Sequence, residues 1–72
     1  MNDITIRIKD LEDEVAELKK ELRRIKSAIK KVENLGLTTP PEILLKKEDI
    51  ETILKDYKQE LKALKKVKEL ID

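Results

Sequence analysis

The stretch Ile4–Val32, ITIRIKDLEDEVAELKKELRRIKSAIKKV, carries an apolar residue at alternating intervals of four and three residues. A mean interval of 3.5 residues is the pattern of a coiled-coil seam, the line of contact formed by heptad positions a and d. Most other positions are charged, so the apolar stripe is narrow. The stretch therefore predicts one long helix with a single apolar edge. Its a positions are Ile8, Val15, Leu22 and Ile29, and its d positions are Ile4, Leu11, Leu18, Ile25 and Val32.

The sequence is ambiguous at the start of this helix and clear at its end. Residues 4–8 alternate between apolar and polar side chains, which also fits a short strand. We favour helix there because no other part of the chain offers a strand to pair with. At the other end, Gly36 suits the left-handed position that follows a helix, and a Schellman motif at this point would join Val32 to Leu37.

A second helix is predicted directly after this turn. Thr39-Pro40-Pro41-Glu42 has the pattern of a capping box, with Thr39 as the N-cap and Pro40 as the first helical residue. The heptad then resumes, with lysines at two a positions whose stems can lie along apolar surface. We therefore predict an all-α fold, an antiparallel two-helix coiled-coil hairpin. We expect one domain over residues 1–72, with a first helix over 3–34, a turn over 35–39 and a second helix over 40–71. The residues expected in its seam are Ile8, Leu11, Val15, Leu18, Leu22, Ile25, Ile29, Ile43, Ile50, Leu54, Tyr57, Leu61 and Leu64.

In an antiparallel pair, the a positions of one helix face the d positions of the other, and this rule fixes how the two helices align. The residue numbers of every facing pair then sum to 72, so the chain reverses at residue 36, its only glycine. The segments that meet have opposite charge, and their formal charges are −4 for residues 1–18, +5 for 19–34, −2 for 35–51 and +2 for 52–72. On the flank formed by the e positions, we expect Glu12 opposite Lys58 and Lys19 opposite Glu51. Such exposed pairs contribute only a few tenths of a kcal/mol each.

The opposite flank, formed by the g positions, predicts an oligomer interface. Ala28, Ile53 and Val67 lie on it, and Glu14 is expected to face Glu60 without a counter-charge. An apolar strip beside two like charges favours cover by a second chain, so we predict a homodimer in the form of a four-helix bundle. The alternative is a subunit of a hetero-complex, in which an unidentified protein completes this flank. A parallel dimer of the first helix alone also gives attractive charge pairs, but it leaves the second helix without a role.

Two further surfaces are candidates for binding. Leucines gather at the turn, where they form either a plug that closes the end of the bundle or a knob for a protein partner. These leucines are Leu35, Leu37, Leu44 and Leu45. Basic residues also cluster on the outer face of the first helix, where they could neutralise phosphates. These residues are Lys20, Arg23, Arg24, Lys30 and Lys31. A small dimeric nucleic-acid-binding protein is therefore the alternative function, although the net charge is only +1 and no aromatic residue is available for base stacking.

Composition argues against catalysis. The chain has no histidine and no cysteine, which excludes nucleophilic triads and thiolate metal sites. Its single glycine excludes a glycine-rich phosphate loop, and its carboxylates lie among lysines on exposed faces, where nothing raises their pKa for acid–base work. We therefore expect no enzyme activity, no catalytic, cofactor-binding or metal-binding residue and no small-molecule substrate.

Composition also indicates the class of protein. Lysine and glutamate make up 24 of the 72 residues, a bias seen in thermophilic proteins and in long surface helices. The longest apolar run is three residues, so we expect a soluble, cytoplasmic chain without a membrane segment. The sequence as a whole predicts a non-enzymatic oligomerisation or protein-interaction module, acting as a scaffold or adaptor.

Overall fold

The computed structural model describes residues 3–71, so Met1, Asn2 and Asp72 lie outside the described residues. The chain forms two helices, α1 (Asp3–Asn34) and α2 (Pro41–Ile71), joined by a connection of six residues. Residues 4–8 belong to α1, so the helix prediction is correct there and the strand alternative is wrong.

The two helices pack against each other as an antiparallel hairpin. Arg7 and Glu21 of α1 contact Glu60 and Lys46 of α2, so residue numbers fall along α2 as they rise along α1. The molecule measures 54 × 15 × 14 Å, and its radius of gyration is 16.5 Å. A compact domain of this length has a radius of gyration of about 11 Å. The all-α hairpin is therefore confirmed, and it is a rod.

The core is a single line of side chains between the helices. Leu11 is fully buried, and the largest exposed fraction among the seven core side chains is 9%. Burial of one such side chain contributes about 1.5–3 kcal/mol, so the stability of the hairpin depends on few residues. The buried residues are Ile8, Leu11, Val15, Ile25, Ile50, Leu54 and Leu61, and Ile4, Leu18, Leu22, Ile29, Ile43, Tyr57 and Leu64 pack against them. All thirteen residues expected in the seam belong to this cluster.

Gly36 ends α1 as the sequence predicted. Its φ is +75°, in the left-handed region that favours glycine. The backbone N–H of Leu37 donates to the carbonyl of Val32 at 3.1 Å, and the N–H of Gly36 donates to the carbonyl of Glu33 at 2.9 Å. These are the two hydrogen bonds of a Schellman motif, so that prediction is confirmed.

The start of α2 differs from the predicted capping box. The carbonyl of Pro40 accepts the first helical hydrogen bonds, from the N–H groups of Ile43 and Leu44 at 3.1 and 3.4 Å. Pro40 is therefore the N-cap and Pro41 the first helical residue, because a proline disfavours helical geometry in the residue before it. The Thr39 hydroxyl is buried and has no hydrogen-bond partner among the described residues. The prediction that Thr39 caps α2 is wrong.

Neither helix, within the part of the chain that the structure describes, contains a stretch long and apolar enough to cross a membrane.

Candidate functional site

Ion pairs link the helices along both flanks of the seam. The Arg7 guanidinium donates from Nε and Nη2 to one oxygen of Glu60, at 2.9 and 2.8 Å. Glu21 and Lys46 approach to 3.3 Å on the same flank. On the other flank, Glu12 and Lys65 approach to 3.5 Å. All these side chains are about half exposed, so each pair contributes at most about 1 kcal/mol.

These partners lie one heptad away from those that the sequence predicted. Glu12 pairs with Lys65 rather than Lys58, and Glu60 has the counter-charge Arg7 rather than facing Glu14 alone. A residue beside the seam lies between two residues of the opposite helix that are seven positions apart. When the numbers of facing seam residues sum to 72, either of the two is close enough to be its partner. The observed pairs sum to 67 on the g flank and to 77 on the e flank, symmetrically about 72. The predicted Lys19–Glu51 pair is also absent from the described residues.

The c and g positions of both helices form one long side of the hairpin, which we call the acidic face. It carries nine acidic and four basic side chains, a net charge of −5 within residues 3–71. Its charged residues are Asp3, Arg7, Asp10, Glu14, Glu17, Glu21, Arg24 and Lys31 on α1, and Glu42, Lys46, Asp49, Asp56 and Glu60 on α2.

The b and e positions form the opposite side, which we call the basic face. It carries nine basic and five acidic side chains, a net charge of +4 within residues 3–71. Its charged residues are Lys9, Glu12, Lys19, Arg23, Lys26, Lys30 and Glu33 on α1, and Glu48, Glu51, Lys55, Lys58, Lys62, Lys65 and Glu69 on α2. The nearly neutral chain thus separates its charges across the hairpin.

Open surface grooves follow the same division. One groove on the acidic face is lined by Arg24, Ala28 and Lys46 among others, and a second by Ile53 and Tyr57. On the basic face, two adjoining grooves share Leu22. The residues lining them are Lys19, Leu22, Arg23 and Lys26 in one, and Leu22, Glu51, Leu54, Lys55, Lys58, Gln59 and Lys62 in the other.

The predicted nucleic-acid cluster lies on the outer side of α1 and spans the boundary between the two faces. Arg23 and Lys30 lie on the basic face, whereas Arg24 and Lys31 lie on the acidic face. Lys20 lies at the outermost f position, 3.8 Å from Glu17. Sequence reasoning examined α1 alone and therefore missed the lysines of α2 that join Arg23 across the seam.

Exposed apolar side chains lie mainly on the acidic face and at the tip. Ile53 and Val67 are 39% and 41% exposed, and Leu70, at a c position, is 80% exposed. Ala28 is exposed on the same face. All four tip leucines are exposed in the single hairpin, so their roles as a plug for the end of a bundle or as a knob for a protein partner both stay predictions. The exposed leucines of the tip are Leu35, Leu37, Leu44 and Leu45.

Tyr57 connects the seam to the acidic face. Hydrogen bonding to the Glu14 side chain, the negative charge of Glu14 and partial burial together raise the pKa of Tyr57 above its usual value of 10.0. Arg7 lowers this pKa and Glu60 raises it further. The interaction links α1 to α2 at the edge of the seam that adjoins the acidic face.

Within residues 3–71, no group of three or more acidic side chains is placed to hold a metal ion. What the geometry offers instead is two long faces of opposite charge. Comparison of the chain with family models, curated proteins and solved structures found no match in any of the three.

Proposed function

We propose that this chain is a non-enzymatic interaction module, a coiled-coil hairpin that pairs with a second copy through its acidic face. The observation that supports this most directly is its accessible surface of 5838 Å². A compact monomer of 8.4 kDa exposes about 4,600 Å². The excess of roughly 1,200 Å² for one chain is more than the about 800 Å² that each partner contributes to a standard interface. The product of the two copies would be a four-helix bundle acting as a scaffold.

The acidic face has the size and the apolar content that such an interface needs. The hairpin is 54 Å long and 15 Å wide, so one face presents about 800 Å², the area that each partner contributes to a standard interface. Ile53, Val67 and Leu70 supply exposed apolar surface along it. Burial of the Ile53 side chain in the dimer contributes about 1 kcal/mol per copy, since it is already partly covered.

The positions of these residues favour one orientation of the second copy. In the alignment that sums to 72, Ile53 lies at the height of residue 19, midway along the described part of α1. A two-fold axis perpendicular to the rod at this height packs Ile53 against Ile53 of the second copy. The same rotation brings Lys46 to the height of Glu60 and Arg24 to the height of Glu14, which are opposite charges. It also brings Arg7 to the height of Lys31 and Glu17 to the height of Glu21, so the orientation is favoured by the contact between the two Ile53 side chains rather than by charge. A parallel arrangement would instead place Ile53 against α1 of the second copy and separate the two Ile53 side chains.

The oligomeric state tests this proposal. We expect the wild-type chain to have the mass of a dimer by light scattering over a range of concentrations. The double variant Ile53→Lys, Val67→Lys should be a folded monomer, because Ile53→Lys places one cation from each copy against the other at the two-fold axis and Val67→Lys removes apolar surface from the same face. The matched control, Ala16→Lys with Gln59→Lys, adds the same charge outside the acidic face and should remain a dimer.

The outcomes separate self-association from pairing with another protein. A dimeric double variant with unchanged stability contradicts the proposed interface. A wild-type monomer contradicts self-association and leaves the alternative of a hetero-complex, in which a different chain covers Ile53 and Val67. A non-enzymatic role is in keeping with a sequence that has no histidine and no cysteine.

A further inference from the structure

We infer that the basic face is a binding site for the phosphate backbone of double-stranded nucleic acid. Six cations border the two adjoining grooves above Leu22 and Leu54: Lys19, Arg23 and Lys26 on α1, and Lys55, Lys58 and Lys62 on α2. Glu51 is the one acidic residue that lines these grooves. The inference concerns the face opposite the proposed dimer interface and does not depend on it.

None of these six cations has a counter-ion in the described part of the chain. The ion pairs there use Arg7, Lys20, Lys46 and Lys65 as the cations. All six are exposed. Thirteen of the 17 basic residues lack an ion pair in this part of the chain, and these six are distinguished by lying together around two adjoining grooves.

The fold even places two cations where it elsewhere places an ion pair. Glu12 and Lys65 face each other across the e flank. One heptad closer to the tip, the equivalent positions are Lys19 and Lys58. Within each helix the cations also repeat at intervals of three and four residues, at which like charges repel. This arrangement weakens the hairpin on its own and is stabilised when a polyanion lies in the groove.

The shape of the face favours a duplex over other polyanions. Each row of three cations spans seven residues, about 10 Å of straight helix. The complete face from Lys9 to Lys30 spans about 32 Å, close to one turn of a DNA duplex. No aromatic side chain lines the grooves, so the stacking platforms that single strands require are missing from this face.

A protein partner fits this face less well. An amphipathic helix docks through apolar anchors in a groove. Leu54 is only 5% exposed, and Leu44, in the first turn of α2, is the one exposed large apolar residue at a b or e position within residues 3–71. Binding here must therefore come mainly from charge, which is how proteins bind the duplex backbone without reading its sequence.

The test is the salt dependence of binding to a labelled 30-base-pair DNA duplex of mixed sequence, followed by fluorescence anisotropy. The wild-type protein should bind at 50 mM salt with micromolar affinity or tighter, and six phosphate contacts predict a slope of log affinity against log salt of about −5. The triple variant Lys55→Gln, Lys58→Gln, Lys62→Gln should bind more than about tenfold more weakly, with a slope smaller by about three.

A matched triple variant provides the control. Lys20→Gln, Lys31→Gln, Lys66→Gln removes the same charge from exposed positions outside the two grooves of the basic face and should keep both the affinity within about threefold and the slope. Circular dichroism verifies that both variants are helical. Equal weakening by the two triple variants overturns the inference, since net charge alone then explains binding. Absence of duplex binding at 50 mM salt, or binding of polyglutamate as tightly as of DNA, also overturns it.

Discussion

The acidic face and the basic face share the seam residues beneath them, yet they offer partners different kinds of contact. The acidic face combines exposed Ile53, Val67 and Leu70 with internal ion pairs such as Arg7–Glu60. The basic face combines six unpaired cations with a floor that is mostly buried. An apolar surface with charges that can be matched suits a second hairpin, whereas isolated cations suit an extended polyanion. One heptad pattern can therefore support two unrelated surfaces, because the residues beside the seam vary independently of it.

The largest predicted effect is the difference in salt dependence between binding at the basic face and dimerisation through the acidic face. Between 50 and 200 mM salt, the affinity of the basic face for a DNA duplex should fall by about 10³-fold, because about six phosphate contacts release counterions. Dimerisation through the acidic face should stay constant or tighten, since salt screens the repulsion between two faces of charge −5. Anisotropy and sedimentation in the same buffers measure both. A parallel loss of dimer and duplex binding would mean that the basic face of one copy holds the acidic face of another.

Substitutions at two neighbouring residues of α2 should affect different properties, because one residue lies in the shared seam and the other on the acidic face. Leu54 is 5% exposed, so Leu54→Ala should lower the free energy of unfolding by about 2–5 kcal/mol. A chain of this length has a total of roughly 4–11 kcal/mol, so both faces would lose their support. Ile53→Ala should cost the monomer about 1 kcal/mol or less and mainly weaken the dimer. Urea denaturation at low and high protein concentration distinguishes these outcomes, and equal losses at low concentration would contradict the division between seam and face.

Substitution of Thr39, at the tip between the two faces, tests whether its hydroxyl caps α2. The sign of the change in the free energy of unfolding decides between the two possibilities. Its buried hydroxyl has no partner among the described residues, so Thr39→Val should raise the free energy of unfolding by about 1 kcal/mol. A working capping box would instead make the same substitution cost about 1 kcal/mol. Thr38→Val is the control, because Thr38 is exposed and should change little. Thermal melts of the two variants are sufficient, and neither should alter the preference of partners for one face.

The seam was predictable because burial repeats along it. All thirteen residues predicted in the seam enter one apolar cluster, and Gly36 marks the reversal through a backbone conformation that other residues rarely adopt. These features depend on local chemistry and on a period that sequence displays directly. The antiparallel hairpin follows from them without knowledge of any side-chain position.

The details beside the seam were harder to predict because the sequence permits two answers of similar energy. Glu12 can reach either Lys58 or Lys65, and exposed pairs contribute too little for pattern alone to decide between them. At the start of α2, the capping-box pattern ignores the effect of Pro41 on Pro40. The basic face was missed because its cations lie on two helices, 29 or more residues apart along the chain. Such surfaces emerge only when the flanks are assembled in three dimensions.

The smallest predicted effect is a shift in the pKa of the Tyr57 hydroxyl, which reports the electrostatic environment of the acidic face. Tyr57 is the only tyrosine, so the absorbance of its phenolate gives its titration directly. The hydrogen bond to Glu14 and the charge of Glu14 hold the pKa of Tyr57 above 10.0, so the midpoint should lie above that of the protein unfolded in urea.

The sign of the linked stability follows from this shift, and two variants localise its cause. Because the folded pKa of Tyr57 is raised, its contribution to stability is complete below pH 10 and is lost as the pH rises through the folded pKa. Glu14→Gln removes the charge that opposes ionisation and should lower the midpoint towards 10.0. Lys58→Gln changes the charge on the basic face and should leave the midpoint unchanged if the seam separates the two electrostatic environments. A shift of similar size in both variants would show that the two faces share one electrostatic environment, and the distinction between them would then rest on their apolar residues alone.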